Sequence, residues 1–438
     1  MTARQAALAA LGRCRRDGAW SAETIDAVIQ RSSLDSRDAS LASAIVLGVL
    51  QNLSYCDFII GSFSTRRTTD IEPKLLDILR CGVYQLIFLD RIPPRAAVNE
   101  TVALCADNGL SRAAGFVNVI MRRTAEKRDS LPVVPGEGSA EHLSVRYSQP
   151  EWFAERMIRE KGYAFAEALF RANNLPSGTD LQINTLRTDV ESFIKSLEDA
   201  GIDFSVPAFP AGCVCVERGA VRSLPGYEEG LFFVQDRAAR AAVAAAGLKS
   251  GMRVLDACAS PGGKSFAAAM DMRGRGEIVS CDIKDKKLAV IDSGSERLGL
   301  GIIRTEKRDA AVHEPSFENA FDAVIADVPC SGFGVIGKKP EIRKKTPEDI
   351  APLPEIQRRI VDNLSGYVKR GGVLLYSTCT VLREENEDIV GDFLSRHADF
   401  EACDFSVGDS SSRGGCYTFY PNVDGSDGFF AAMLRRKN

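Results

Sequence analysis

The chain has 438 residues, of which 45% are hydrophobic and 26% are charged, and its formal net charge is −4. This length predicts two or three domains, and the composition excludes a wholly disordered or fibrous protein. Because acidic side chains outnumber basic ones, nucleic acid could be bound only through local basic patches. The N-terminal residues lack a basic region followed by a long apolar run, so we expect no secretion signal, no membrane anchorage and a cytoplasmic location.

Twelve cysteines are scattered through the chain. In a long chain without an export signal, this pattern predicts reduced thiols rather than disulfides. Only Cys213 and Cys215 lie close together, and no second pair completes a zinc site, so we expect no bound metal. The alternation of apolar and polar residues at positions 213–217 instead predicts a β-strand.

The first part of the chain predicts an all-α domain over residues 1–130. Apolar residues recur at helical intervals in residues 41–50 and 75–80, and Pro93 and Pro94 separate two predicted helices. Residues 131–145 begin with a run rich in proline and glycine, which predicts a linker.

Residues 146–235 predict a small α/β module. One helix is expected from Trp152 to Ala172. Strands are expected at residues 180–184 and 230–234, with a helix from Val190 to Ala200 between them.

Residues 236–438 predict a Rossmann-like α/β domain. Four β-like runs alternate there with helical patterns, at residues 253–257, 278–282, 323–327 and 373–377. Such alternation predicts a parallel, doubly wound sheet whose ligands bind at the carboxyl ends of the strands. The loops that follow these runs are therefore expected to carry the chemistry.

The first of these loops is rich in glycine and leads into a helix. It consists of Cys258, Ala259, Ser260, Pro261, Gly262, Gly263 and Lys264. Glycines let the backbone approach a ligand closely, and the start of a helix offers free N–H donors. Asp282 ends the next strand, where it can accept the ribose hydroxyls of a nucleoside cofactor, and Asp309 can contact its base; NAD and S-adenosylmethionine both fit this pattern. A nucleotide triphosphate loop would need a glycine in place of Cys258.

Two further loops each carry a cysteine: DVPCSG at residues 327–332 contains Cys330, and YSTCT at residues 376–380 contains Cys379. A lone cysteine is usually a small buried apolar side chain, but two at neighbouring strand ends favour covalent catalysis. A thiolate that adds to carbon 6 of cytosine makes carbon 5 able to attack an electrophilic methyl group. A second thiol can assist release of the product, and Asp327 can hydrogen-bond the edge of the base.

At these motifs the sequence resembles the NOL1/NOP2/Sun family of RNA cytosine-5 methyltransferases, and in particular its bacterial members that act on 16S ribosomal RNA. DGFFAA at residues 427–432 also matches. The resemblance implies S-adenosylmethionine as the cofactor, bound by residues 258–264 together with Asp282, Asp309 and Asp327. It further implies that Cys379 is the nucleophile and that Cys330 helps to release the product.

The resemblance extends to the rest of the chain. Residues 1–130 are similar to the NusB-type RNA-binding domain, on RCGVYQL at 80–86 and AVNETV at 97–102, and residues 146–235 are similar to the small RNA-recognition-like module of the family. Gln51 stands where relatives tend to carry arginine, and Lys344 where they usually carry tryptophan. The basic segment 338–345 is expected to contact RNA phosphates.

The implied partner is RNA and the expected state is a monomer. Two other functions stay open at this point. One is a transfer RNA cytosine-5 methyltransferase with the same chemistry, and the other is a non-catalytic RNA-binding or antitermination factor.

Overall fold

The computed structural model describes residues 1–17, 22–175, 178–217 and 220–438. The chain divides into two compact units. The first consists of Met1–Leu175 and Ile336–Pro347, and the second of Pro176–Val335 and Glu348–Asn438.

The first unit is helical in its described part, which confirms the predicted all-α N-terminal domain. Helix α5 lies at its centre, with a face of buried apolar residues against which α1, α3, α4, α6 and α7 pack. The helices are α1 (Ala3–Asp17), α2 (Ala22–Arg31), α3 (Ser36–Gln51), α4 (Leu53–Phe63), α5 (Pro73–Phe88), α6 (Pro94–Asp107), α7 (Ala114–Glu126), α8 (Ala140–Tyr147), α9 (Glu151–Lys161) and α10 (Tyr163–Asn174).

No single helix in the described ranges has the length and apolar character needed to cross a membrane. By length and composition alone, the pair α3 and α4, bent by 81° at their junction, meets that test together.

The structure corrects two predictions for residues 131–172. Residues 140–145, predicted as part of a linker, lie in α8, because Ser139 caps this helix by accepting a hydrogen bond from the His142 N–H at 3.1 Å. His142 is itself buried, and its Nδ1 lies 3.0 Å from the carbonyl oxygen of Val134. The single helix predicted from Trp152 to Ala172 is instead the pair α9 and α10, because Gly162, at φ 86°, ends the first of them.

Residues 336–347 follow the Cys330 loop in sequence but pack within the first unit. Ile342 is buried there, Gln51 Nε2 donates to the carbonyl of Gly337 at 2.5 Å, and Arg343 Nη2 donates to Asn174 Oδ1 at 2.5 Å. Burial lowers the pKa of Arg343 to about 9. The expectation that the whole basic segment 338–345 contacts phosphate is therefore wrong for Arg343, because its guanidinium is hydrogen-bonded to Asn174 within this unit.

The second unit contains a small antiparallel sheet with the strand order β2-β3-β1-β4. Its elements are β1 (Thr179–Ile183), α11 (Val190–Asp199), β2 (Phe204–Ser205), β3 (Cys213–Val216) and β4 (Phe232–Val234). Helix α11 packs on this sheet through Phe193 and Leu197. The predicted strands and helix of the α/β module are confirmed, and Cys213 and Cys215 are buried residues of β3.

The larger sheet has the order β10-β14-β9-β8-β5-β6-β7, and β13 also pairs with β14. Its elements and those around it are α12 (Arg237–Ala245), β5 (Arg253–Asp256), α13 (Gly263–Asp271), β6 (Glu277–Asp282), α14 (Asp285–Leu298), β7 (Ile303–Lys307), β8 (Phe321–Asp327), α15 (Pro347–Ile350), α16 (Leu353–Ser365), β9 (Val368–Thr378), α17 (Glu387–Arg396), β10 (Phe400–Ala402), β11 (Ser406–Val407), β12 (Ser410–Ser411), β13 (Cys416–Phe419), α18 (Pro421–Asp424) and β14 (Phe429–Arg436).

The four predicted strands are confirmed as β5, β6, β8 and β9, which run parallel together with β7. The sheet is nevertheless mixed, since β14 pairs antiparallel with β9. Strands β10 and β13 also pair antiparallel with β14. Both faces of the parallel strands are buried: Ile325 of β8 faces one apolar cluster and Val324 the other.

Candidate active site

The glycine-rich loop joins the end of β5 to the start of α13. Gly262 has φ 109°, and a Cβ added to it would lie 2.5 Å from the ring of Phe266, so only glycine fits this position without strain. The N–H of Ala259 donates to the carbonyl of Cys281 at 2.8 Å, which fastens the loop to β6. The loop is thus held in a fixed shape where α13 begins.

A buried carboxylate that the sequence analysis did not select lies beneath this loop. Asp256, the last residue of β5, is fully buried, and its Oδ2 accepts a hydrogen bond from Ser265 Oγ at 2.7 Å. Ser280 Oγ lies 2.7 Å from the same hydroxyl, and Asp256 Oδ1 has no hydrogen-bond partner in the described structure. Burial raises the pKa of Asp256 to about 7. Its position, an acid that ends an apolar strand just before the loop, is the signal that could have identified it.

Lys264 and Asp327 form an ion pair at the carboxyl ends of the strands. Lys264 Nζ lies 2.7 Å from Asp327 Oδ2, and Ser377 Oγ donates to Asp327 Oδ1 at 2.9 Å. Burial acts to lower the pKa of Lys264, but the nearby Asp327, Asp256 and Cys379 outweigh it and raise that pKa above its usual value. Lys264 is therefore a cation close to both Asp327 and Cys379.

The two predicted cysteines lie side by side. Their strands, β8 and β9, are parallel neighbours in which Asp327 pairs with Ser377, and the Sγ atoms of Cys330 and Cys379 are 3.2 Å apart. The pKa of Cys330 is raised well above its usual value by its hydrogen bond with Cys379, by burial and by the negative charges around it. Neither cysteine is part of a disulfide, and both are only partly exposed.

The C-terminal DGFFAA motif closes the same site. The N–H of Gly334 donates to the carbonyl of Cys379 at 3.0 Å, and the N–H of Gly428 donates to the carbonyl of Gly334 at 2.8 Å. A Cβ at Gly334 would lie only 1.9 Å from the oxygen of Gly428, so this close approach requires glycine. Lys264 Nζ lies 5.1 Å from the centre of the Phe429 ring.

The other two predicted aspartates follow β6 and β7. Asp282 is buried, and its carboxylate accepts from the Lys284 N–H at 3.2 Å and from Lys287 Nζ at 3.3 Å. Asp309 is exposed and accepts from the Ala311 N–H at 2.9 Å. Asp309 also lines a pocket with residues from the ends of β5 and β6, among them Ala257 and Cys281.

Three family models match the chain. The 16S rRNA methyltransferase RsmB/F model matches residues 244–435, the NusB family model matches residues 1–126, and the RsmF/B-like ferredoxin-like domain matches residues 149–222. The last match includes α9 and α10, which the division into compact units assigns to the first unit. The two divisions of the chain therefore differ for these helices.

Relatives match along the whole chain. A probable ribosomal RNA small subunit methyltransferase B from Bacillus subtilis is 33% identical over 99% of this chain and 98% of its own length. Another, from Synechocystis, is 31% identical over 100% of each chain. The crystal structure of PH0851 has the same fold, with a TM-score of 0.80 at 24% identity over 100% of this chain and 99% of that one.

Identity above 30% over the full length, the matching domain models and the shared fold lead to one assignment. This chain belongs to the family of ribosomal RNA small subunit methyltransferase B, S-adenosylmethionine-dependent enzymes with a NusB-like domain, a ferredoxin-like module and a Rossmann-like methyltransferase domain.

Proposed function

We propose that this chain methylates carbon 5 of a cytosine in 16S ribosomal RNA through a covalent adduct between Cys379 and carbon 6. One observation carries the proposal: two thiols, 3.2 Å apart, lie at the ends of adjacent parallel strands. Lys264 and Asp327 lie beside them. A methyltransferase that attacked through a nucleophilic substrate atom would need neither thiol, whereas carbon 5 of cytosine needs one.

The glycine-rich segment Cys258, Ala259, Ser260, Pro261, Gly262, Gly263 and Lys264 would bind S-adenosylmethionine together with Asp282, Asp309 and Asp327. The N-terminal end of α13 and the unpartnered Oδ1 of Asp256 suit a polar ligand. When bound, S-adenosylmethionine supplies an electrophilic methyl group.

Cys379 is the proposed nucleophile because the nearby charge of Lys264 interacts with its thiol and favours the thiolate. Its thiolate adds an electron pair to carbon 6, while Asp327 hydrogen-bonds the N3 and N4 edge of the base. The C5–C6 π electrons would then form the new bond from carbon 5 to the methyl group, whose bond to the sulfonium sulfur would break so that S-adenosylhomocysteine is the leaving group.

Cys330 is the proposed base for product release. The hydrogen bond with Cys379, and the charge of that thiol, raise the pKa of Cys330. Both are lost once the Cys379 sulfur is bonded to carbon 6, so the pKa of Cys330 then falls. Cys330 can then lose its proton to water, and the resulting thiolate accepts the carbon-5 proton. The C5–H electron pair restores the double bond, and Cys379 leaves as a thiolate.

The base must be single-stranded or flipped out of its stack to meet the thiols.

We assign RNA binding to the NusB-like domain over residues 1–130 and RNA positioning to the module over residues 146–235. A catalytic domain over residues 236–438 completes the proposed organisation. The protein would act as a monomer in the cytoplasm, where its substrate is made.

The test is an assay of purified protein with S-adenosylmethionine and 16S ribosomal RNA, with transfer RNA in a parallel arm. Cys379→Ala should abolish both 5-methylcytosine and the covalent complex, whereas Cys330→Ala should accumulate protein trapped on RNA. Methylation by Cys379→Ala would refute the covalent role, and methylation of transfer RNA alone would refute the substrate.

A further inference from the structure

A buried carboxylate outside the residues assigned above lies directly behind the Cys330 loop. Glu385 is 0% exposed, and its Oε2 accepts hydrogen bonds from the Ser331 N–H and from Gln357 Nε2, both at 2.9 Å. Gln357 Nε2 also lies 3.0 Å from the carbonyl of Pro329. Glu385 and Gln357 therefore hold the residues on both sides of Cys330.

The same segment holds the Cys379 loop. The Tyr376 hydroxyl donates to the backbone carbonyl of Glu385 at 2.6 Å. Asn386 accepts from the Thr378 hydroxyl at 2.6 Å and donates to the carbonyl of Thr380 at 3.0 Å. Since Thr378 and Thr380 flank Cys379, residues 385 and 386 fix both thiol-bearing loops against each other.

Glu385 also places an acidic group near the Cys330 thiol. No lysine or arginine is paired with its carboxylate among the described residues, and its Oε1 has no hydrogen-bond partner there. The titratable groups that face the Cys330 thiol are Cys379, Asp327, Tyr376 and Glu385. Negative charge on Glu385 and Asp327 raises the pKa of Cys330, but Asp327 is paired with Lys264, which offsets its effect.

We propose that Glu385 is a positioning residue that fixes the Cys330 loop and keeps the Cys330 thiol protonated in the free enzyme. Glu385 thereby adds to the hydrogen bond with Cys379 and to burial in disfavouring the Cys330 thiolate, and so favours attack on carbon 6 by Cys379. The inference rests on the proposed function for the step that it serves. The effect on the thiol, however, is a property of the protein without RNA or cofactor.

The test is the pH dependence of iodoacetamide alkylation at Cys330, followed by peptide mass spectrometry. All variants carry Cys379→Ala, so that the second thiol does not contribute. Glu385→Gln keeps a hydrogen-bond acceptor and removes the charge; it should lower the alkylation midpoint of Cys330 by about one pH unit. The matched control is Glu387→Gln, an exposed residue of α17, which should leave the midpoint unchanged.

A midpoint that does not move in Glu385→Gln overturns the inference. Should that variant fail to fold, Cys330 in Cys379→Ala is compared with Cys379 in Cys330→Ala, and alkylation of Cys330 at the lower pH overturns it as well. Because alkylation needs neither RNA nor S-adenosylmethionine, an inactive wild type together with a shifted midpoint would refute the proposed function and leave the action of Glu385 on Cys330 intact.

Discussion

Aspartates at three strand ends of the larger sheet have three different surroundings. Asp327 is paired with Lys264, and Asp282 accepts hydrogen bonds from a backbone N–H and from Lys287. Asp256 instead accepts a hydrogen bond from the hydroxyl of Ser265. Burial outweighs the Ser265 hydrogen bond and the nearby Lys264, which both act to lower the pKa of Asp256, so this pKa rises to about 7.

This burial predicts a pH-dependent stability. The pKa of Asp256 is higher in the folded chain, about 7, than its usual value of 3.8. The stability that the protonated form contributes is therefore complete below about pH 4 and is lost as the pH rises through 7. A pKa difference of about three units corresponds to a change on the order of 4 kcal/mol in the free energy of unfolding, which we take as an upper bound.

Urea unfolding of wild type and Asp256→Asn between pH 5 and pH 8.5 measures this contribution. Asparagine does not titrate, so the variant should lose less stability than wild type across this range. Parallel pH profiles for the two proteins would show that Asp256 ionises normally in the folded state.

The glycine-rich loop and helix α13 act as one element. The helix begins directly after Gly262, whose φ of 109° turns the chain out of the loop. The free N–H groups of the first turn of α13 then face the ligand edge of the sheet. The geometry of this one turn therefore decides whether the helix start can serve a cofactor.

Gly262→Ala is expected to weaken binding of S-adenosylmethionine and to destabilise the fold. The added Cβ would meet the Phe266 ring at 2.5 Å in a backbone conformation that costs a non-glycine residue about 1–3 kcal/mol. Isothermal titration with S-adenosylmethionine and thermal unfolding are the measurements. The control is Gly391→Ala in α17, where a Cβ meets nothing within 4 Å and alanine favours the helix. Equal cofactor affinity in the two variants would contradict the role given to this turn.

At the scale of the whole molecule, sequence order and compact units do not coincide. The first unit is completed by Ile336–Pro347, which lies between the two cysteine motifs in sequence. Ile342 is 4% exposed there, and Arg343 reaches Asn174. The helical unit thus depends on a segment that is synthesised long after its own helices.

Ile342→Ala should loosen the first unit rather than the strands that flank it in sequence. Removing a buried isoleucine side chain costs about 2–5 kcal/mol. Hydrogen exchange of the full chain should therefore show faster exchange in α3 and α10, with β8 and β9 unchanged. Lys339→Ala, at an exposed position of the same segment, is the control. Faster exchange confined to β8 and β9 would contradict the assignment of this segment to the first unit.

The sequence by itself determined the alternation of strands and helices, the helical N-terminal domain, the places of Cys330 and Cys379 at strand ends, and that of Lys264 at the end of the glycine-rich segment. These features are local, because apolar periodicity and loop motifs are encoded within about ten residues. It also indicated that the two cysteines would be neighbours, since carboxyl ends of parallel strands share one edge.

Only the tertiary structure decided which polar groups are buried and what they contact. The environments of Asp256 and Glu385, the break at Gly162, the antiparallel β14 and the commitment of Arg343 to Asn174 all depend on packing. Arg343 and Asn174 are separated by 169 positions. No local pattern encodes such a contact, because the free energy of burying a charge or a hydrogen-bonding group depends on what the folded chain places beside it.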